Sequence, residues 1–185
     1  MRFKSIAGAD VAYKGGEAVS AIVILSYPEF KLIDKAVLKL NTPFPYIPGY
    51  FFLRELKPII AVYERLSKSP DCLLIDGHGF AHPTFKGLAC RIGEELKIPT
   101  IGCAKSLLVG RYKGLKEERG STSPIIFNNR TVGYAVRTRT DVKPVFVSVG
   151  YGISLKRACW VVLQCSKGYR IPEPLRYAHH LSKVG

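Results

Sequence analysis

The sequence predicts an α/β domain built on a mixed β-sheet with helices on both faces. Two observations support this fold class: three β-type segments open the chain, and helical and strand segments then alternate to its end. Consecutive strands joined by tight turns form an antiparallel meander, whereas alternation brings in parallel strands covered by helices. The length of 185 residues and the hydrophobic content of 47% suit one domain, which we assign to residues 1–185.

The three leading strands are predicted over residues 5–13, 18–27 and 31–40. The second is rich in valine and isoleucine, and the third alternates apolar and polar residues, which indicates one exposed face. A Gly-Gly pair and a proline separate the three segments, as expected for turns.

The remainder of the chain alternates. A helix is predicted over 51–68, with Pro58 marking a kink or an early end. Ser154 is a plausible N-cap for a helix that runs to about residue 164. The other predicted elements are strands at 72–75, 100–103, 131–138 and 144–149 and helices at 88–96 and from about 172. The basic region 105–129 gives no clear pattern.

Composition favours a nucleic-acid partner. The net charge is +14, and a field of that sign attracts phosphates. The alternatives are solubility alone or a basic ribosome-associated protein. The five cysteines show no zinc-binding spacing, so we interpret them as structural. No apolar run is long enough for a bilayer and the start lacks a signal-peptide pattern, which predicts a cytoplasmic protein with no membrane partner.

Three separated carboxylates stand in unusual positions. Asp10 lies among small and apolar residues of the first strand, Glu55 in the first turns of the long helix, and Asp76 directly after a short apolar strand. Strand ends of this kind commonly line a ligand crevice. Convergence on one divalent metal would suit Mg²⁺, with Mn²⁺ as a substitute. The alternative is that each carboxylate is structural, serving the helix dipole or capping a turn.

A stiff apolar loop follows the third strand. Pro45 and Pro48 enclose Tyr46 and Ile47, and Gly49 comes next. On a basic protein such a loop can act as a wedge between stacked bases, and glycine permits close approach to an extruded base. The alternative is a loop that plugs the end of the core.

A second dense segment, Asp76-Gly77-His78-Gly79-Phe80-Ala81-His82-Pro83, places glycines on both sides of a histidine. We expect sharp turns and exposed amides there, able to bond the edge of a flipped purine. Zinc is the weaker interpretation because the nearby donors are oxygens. Loop histidines also serve as simple hydrogen-bond partners.

Five motifs together resemble the endonuclease V family, cover nearly the whole chain and occur in the family's order. They are Gly8-Ala9-Asp10; Pro45-Tyr46-Ile47-Pro48-Gly49 with Arg54-Glu55; Asp76-Gly77-His78-Gly79 with His82-Pro83; Gly102-Cys103-Ala104-Lys105-Ser106; and Arg170-Ile171-Pro172-Glu173-Pro174 with Arg176, Ala178 and His179.

The resemblance implies an RNase H-like fold and a Mg²⁺-dependent DNA repair endonuclease. Such an enzyme recognises deoxyinosine and cuts the second phosphodiester bond on its 3′ side, leaving 5′-phosphate ends. The resemblance also implies roles for individual residues. Asp10, Glu55 and Asp76 would be the metal ligands, Lys105 would stabilise phosphate charge or orient the water, His179 would lie near the active centre, Pro45, Tyr46, Ile47 and Pro48 would form the wedge, and Gly49, Gly77 and His82 would hold the hypoxanthine.

The chain departs from the family pattern at two positions. Tyr151 stands where a histidine is expected, and Thr84 where a further basic residue is expected. Both bear on secondary DNA contacts rather than on the metal centre. Two alternatives stay open: a ribonuclease acting on inosine-containing RNA, and a basic nucleic-acid-binding protein that never cuts. In every case we expect a monomer.

Overall fold

The computed structural model describes residues 3–41 and 52–184. Within these ranges the chain forms eight strands and four helices. In chain order they are β1 Ser5–Lys14, β2 Glu17–Ser26, β3 Leu32–Asn41, α1 Phe52–Tyr63, β4 Leu73–Ile75, α2 Leu88–Leu96, β5 Thr100–Ala104, β6 Thr122–Phe127, β7 Arg130–Val136, β8 Val145–Tyr151, α3 Leu155–Cys165 and α4 Glu173–Val184.

The strands form one mixed sheet in the order β3-β2-β1-β4-β5-β8-β7-β6. The pairs β1–β4 and β4–β5 are parallel, and the other neighbours are antiparallel. Helices α1 and α2 pack on one face, and α3 and α4 pack on the other. The predicted fold class, with its leading meander and helices on both faces, is therefore confirmed.

Side-chain alternation along β1 determines which face each residue serves. Ala7 and Ala9 belong to the core beneath α1 and α2, whereas Ile6 belongs to the core beneath α3 and α4. Gly8 shares the face of Ile6, and α4 approaches it so closely that a Cβ there would lie 2.2 Å from the carbonyl oxygen of Pro174. Asp10 continues this series, so its carboxylate also faces α4.

Most elements lie within a few residues of their predicted bounds, and Ser154 is the predicted N-cap, accepting a bond of 3.3 Å from the amide of Arg157. The long helix ends at Tyr63 rather than at residue 68, although Pro58 does not break it. The reason is tertiary: the Asp34 carboxylate on β3 accepts bonds of 2.8 and 3.1 Å from the amides of Ser67 and Lys68. These bonds hold the chain outside the helical path.

The edge strand β6 has no counterpart among the predicted elements. Its buried residues are Ser123 and Ile125, and they alternate with exposed Thr122, Pro124 and Ile126. A proline and few apolar positions weaken the sequence signal, but an edge strand tolerates both because its outer side is hardly paired: the described residues form one bridge there, between Arg111 and Ile126. None of the helices in residues 3–41 and 52–184 has the length and apolar content needed to cross a membrane.

Candidate active site

A cleft of about 690 Å³ opens where β1, β4 and β5 reach their carboxyl ends. Because these strands are parallel, the side chains that follow them meet at one edge of the sheet. Seven predicted site residues line this cleft: Asp10, Glu55, Asp76, Gly77, His82, Lys105 and His179. The five residues of the predicted wedge and base contact, Pro45, Tyr46, Ile47, Pro48 and Gly49, lie outside the described residues.

Asp10 is held from α4. Its side chain is buried, with 8% of the residue exposed. The Ser182 hydroxyl donates to Asp10 Oδ2 over 2.6 Å, and His179 Nδ1 lies 3.2 Å from the same oxygen. A buried carboxylate needs such partners because its desolvation is costly. One carboxylate oxygen is thereby fixed by the helix, and the side chain as a whole still lines the cleft.

Asp76 and Lys105 form an ion pair at the ends of neighbouring strands. Lys105 Nζ bonds Asp76 Oδ2. Lys105 is itself anchored, since the Arg170 guanidinium donates to its backbone carbonyl and to the carbonyls of Pro144, at 2.8 Å, and Lys143, at 2.9 Å. One arginine thus holds the segment after β5 against the segment before β8, which fixes the position of the lysine.

Glu55 projects into the same cleft from α1 and is only 5% exposed. Burial raises the pKa of its carboxyl well above the ordinary value, and the nearby Asp10 and Asp76 carboxylates raise it further. Burial also raises the pKa of Asp76, although the bond to Lys105 opposes this. Burial therefore disfavours the charged form of both carboxyl groups in this part of the cleft.

The donor chemistry of the cleft fits a hard divalent cation. Carboxylate oxygens suit Mg²⁺, which usually takes one or two carboxylates and completes its shell with water and phosphate oxygens. Residues 3–41 and 52–184 contain no compact group of three His, Cys, Asp or Glu side chains able to hold a metal ion. Asp10, Asp76 and Glu55 all line the cleft, so a metal ion held there would take part of its coordination shell from water or substrate oxygens.

The glycine-histidine loop differs from the prediction of exposed amides. The Gly77 amide donates to the Ile75 carbonyl over 2.9 Å, and the Gly79 amide donates to Ser148 Oγ over 2.9 Å. Gly79 serves close packing instead, because a Cβ there would lie 2.1 Å from the Val149 carbonyl oxygen. Its small size lets this loop lie directly on the sheet beside the cleft.

Burial favours the neutral form of both histidines of this loop. Burial lowers the pKa of His78 to about 4, and burial lowers that of His82 as well. His82 Nδ1 lies 2.9 Å from the hydroxyl of Thr84, the residue that stands where a basic one was expected. Within the described part of the chain, His78 Nδ1 is buried and has no hydrogen-bond partner. Neutral imidazoles can offer a donor and an acceptor to a ligand.

Sequence reasoning missed the residues that orient the site. Ser182 follows His179 by three positions on α4, so helical periodicity could have indicated that the two share a face. Arg170 stands out in the sequence only as part of a motif, and no local signal connects it with Lys105. Tyr151, the other departure from the family pattern, does not line the cleft; its ring lies 5.9 Å from Lys97 Nζ beside α2.

Solved structures similar to this chain agree with the architecture. The endonuclease V of Streptomyces avermitilis superposes with a TM-score of 0.93 at 37% identity, covering 97% of this chain and 80% of that one. The Argonaute of Aquifex aeolicus shares the fold alone, with a TM-score of 0.59 at 14% identity over 98% of this chain and 28% of that one. The sheet, its helices and the carboxylate-lined cleft define a nuclease with an RNase H-like fold.

The sequence comparisons are more specific. The family model for Endonuclease V matches residues 1–180. The endonuclease V of Gloeobacter violaceus is 45% identical over 184 residues, covering 97% of this chain and 75% of the relative. That of Methanothrix thermoacetophila is 44% identical over 181 residues, covering 98% and 81%. The chain belongs to the endonuclease V family.

A relative has also been solved with nucleic acid. The endonuclease V of Ciona intestinalis was crystallised with a 24-mer DNA containing an inosine followed by a ribo-adenosine. It superposes with a TM-score of 0.86 at 31% identity and covers 99% of this chain and 85% of that one.

Proposed function

We propose that this protein is a Mg²⁺-dependent DNA repair endonuclease that recognises deoxyinosine. It would cut the second phosphodiester bond on the 3′ side of the lesion and leave 5′-phosphate ends, with Mn²⁺ as a substitute metal. The observation that carries the proposal is the single cleft lined by Asp10, Glu55, Asp76, Lys105 and His179. Membership of the endonuclease V family and the net charge of +14 support it.

Asp10 and Asp76 would hold the metal, with Glu55 completing the acidic set. A bound divalent ion supplies Lewis-acid chemistry: it offsets charge developing on the phosphodiester and lowers the pKa of a bound water. Ser182 and His179 orient Asp10 so that its second oxygen is available. Lys105 bonds Asp76 in this arrangement, and its ammonium group lies where it can also contact a phosphate oxygen in the cleft.

Recognition of the base would fall to the other side of the cleft. Gly77 and His82 line it, and the neutral imidazole of His82 can bond a purine edge without a net charge. The wedge residues Pro45, Tyr46, Ile47 and Pro48, with Gly49, would open the strand and admit the base. The Ciona intestinalis relative bound to inosine-containing DNA supports this substrate class.

The test is a labelled duplex with one deoxyinosine, incubated with and without Mg²⁺ beside an undamaged control. We expect cutting of the inosine strand only, and none in chelator. Equal cutting of the control would contradict lesion recognition, and full activity in chelator would contradict the metal mechanism. Matched strands that carry one ribonucleotide, or that are RNA throughout, test whether the substrate is DNA or RNA. The DNA bound to the Ciona intestinalis relative carries a ribo-adenosine after the inosine, and this favours testing the RNA alternative.

The charge balance of the cleft predicts that replacing Glu55 with glutamine stabilises the metal-free protein. A carboxyl whose pKa is raised in the folded protein does not destabilise the protein while it is protonated. The free energy of unfolding falls as the pH rises from about 4.5 to the pKa of the folded state. Above this window glutamine avoids the cost, so we expect a gain of about 1 to 2 kcal/mol in the free energy of unfolding. Urea denaturation at pH 4 and pH 8, in chelator, measures it.

The same variant should respond less to metal. We expect Mg²⁺ to raise the melting temperature of the wild type more than that of the Glu55→Gln variant, because one carboxylate of the acidic set is gone. Glu95→Gln is the matched control, since Glu95 is not among the residues that line the cleft. A Glu55→Gln variant that is less stable than the wild type at pH 8 in chelator would refute the charge argument.

A further inference from the structure

A second, basic pocket lies beside the cleft, on the face of the sheet that carries α4. It has a volume of about 230 Å³ and is lined by Lys14, Lys39 and Lys183, with Glu17 as its only acidic lining residue among those described. Ala12, Tyr13 and Lys183 line both this pocket and the active cleft. The two spaces are therefore adjacent.

Strand register explains why lysines from three elements meet there. Lys39 on β3 is opposite Val19 on β2, which is opposite Ala12 on β1. Residues directly opposite in a sheet point to the same face, so these side chains share the face of Asp10. Lys14 lies two residues beyond Ala12 and shares this face, and α4 ends above it, contributing Lys183.

The charge of this pocket is only partly neutralised by its own lining residues. In residues 3–41 and 52–184, none of the three lysines has a carboxylate within 4.0 Å, whereas Lys86 and Lys105 do. Three ammonium groups against one carboxylate leave a net charge of about +2 in a concave site. Lys183 alone could be explained by the dipole at the end of α4, but that does not account for Lys14 and Lys39.

We propose that this pocket binds backbone phosphates of the substrate strand as it leaves the active cleft. The inference rests on the proposed function and adds to it a place where the flanking nucleic acid is held. Asp10 and Lys14 are four residues apart on one strand, which is about 13 Å. One strand of duplex carries a phosphate every 3.4 Å of axis, so the contacts fall within about four nucleotides of the proposed metal-binding carboxylates.

The test compares two double variants that each remove two positive charges. Lys39→Gln with Lys183→Gln removes charge from the pocket. Lys35→Gln with Lys156→Gln is the matched control, because both of these lysines are exposed and neither lines the pocket. Affinity for a fluorescent inosine-containing oligonucleotide is measured by anisotropy, in chelator, between 50 and 200 mM salt.

Each phosphate contact increases the loss of affinity between 50 and 200 mM salt about threefold. We therefore expect the pocket variant to lose about tenfold less affinity across the range than the wild type, and the control to follow the wild type. Oligonucleotides shortened to two nucleotides on one side of the lesion then locate the contact. Shortening one side, and only one, should abolish the difference between wild type and pocket variant.

Equal salt dependence of the pocket variant and the wild type would overturn the inference. So would a defect that persists on both shortened substrates. Failure of the proposed function looks different: the wild type would bind without cutting beside inosine in Mg²⁺, while the salt dependence could still be measured. Melting temperatures of both double variants confirm that the comparison is made on folded protein.

Discussion

Replacing Asp76 with asparagine is expected to reduce strand cutting about 10³-fold. Asp76 follows β4 at the edge where the parallel strands end, and its carboxylate faces the cleft beside Asp10. Under the proposed function Asp76 is a metal ligand. Removing one metal ligand takes several kcal/mol from the stabilisation of the transition state, and about 4 kcal/mol corresponds to that factor. Asparagine has the same shape, so binding of the lesion should survive.

Stability separates this expectation from the alternative in which Asp76 is only structural. Burial raises the pKa of its carboxyl, which means that the charged form is disfavoured in the folded protein. Asparagine should therefore leave the melting temperature equal or higher. A structural carboxylate would behave in the opposite way, with lower stability and intact cutting.

The measurements are single-turnover cutting, affinity by anisotropy, and thermal unfolding of the same preparation. Asp141→Asn is the matched control, because Asp141 is exposed and has a φ of 59°, a conformation that asparagine adopts readily. Retention of more than a tenth of wild-type cutting by Asp76→Asn would exclude Asp76 as a principal metal ligand.

Replacing Gly8 with alanine is expected to lower the free energy of unfolding by about 3 kcal/mol and to impair cutting as well. The added methyl would lie 2.2 Å from the Pro174 carbonyl oxygen and 2.6 Å from the Leu175 amide nitrogen. These are backbone atoms, so no side-chain rotation relieves the clash. Helix α4 must move away from β1, and Ser182 and His179 then lose their bonds to Asp10.

Gly77→Ala makes the same chemical change without the clash. Its nearest neighbours would be the Leu88 and Ile75 side chains at 3.7 and 3.8 Å, which are ordinary contacts. We expect its stability to stay within about 0.5 kcal/mol of the wild type. Urea titrations with equal m-values measure both variants. A Gly8→Ala protein as stable as the wild type would contradict the close approach of α4 to β1.

Local periodicity accounts for most of the fold. The meander and the short buried strands were predictable because alternation and β-branched residues mark them, and α2 has the predicted bounds. The misses have tertiary causes. The end of α1 depends on Asp34, 33 positions from Ser67, and β6 depends on pairing with β7 at the sheet edge. Neither contact leaves a signal in the segment itself.

The candidate site also divides into residues that the local sequence predicts and contacts that only the fold creates. Asp10 and Asp76 were predictable because a carboxylate inside or directly after an apolar strand is costly to bury unless a cation or hydrogen bonds compensate it. Their meeting in one cleft depends on β1 and β4 being parallel, which the alternating pattern indicated. The bonds from Ser182 to Asp10 and from Arg170 to Lys105 span 172 and 65 positions. Sequence spacing carries no information on such pairs without the fold.

The bond between Asp10 and Ser182 joins the first strand to the last helix. During synthesis the chain therefore contains the Asp10 carboxylate long before it contains Ser182, which orients that carboxylate. Closing so large a loop costs entropy that only the complete sheet and helices repay. Copies of the chain that lack α4 would hold the Asp10 carboxylate without the two side chains that orient it.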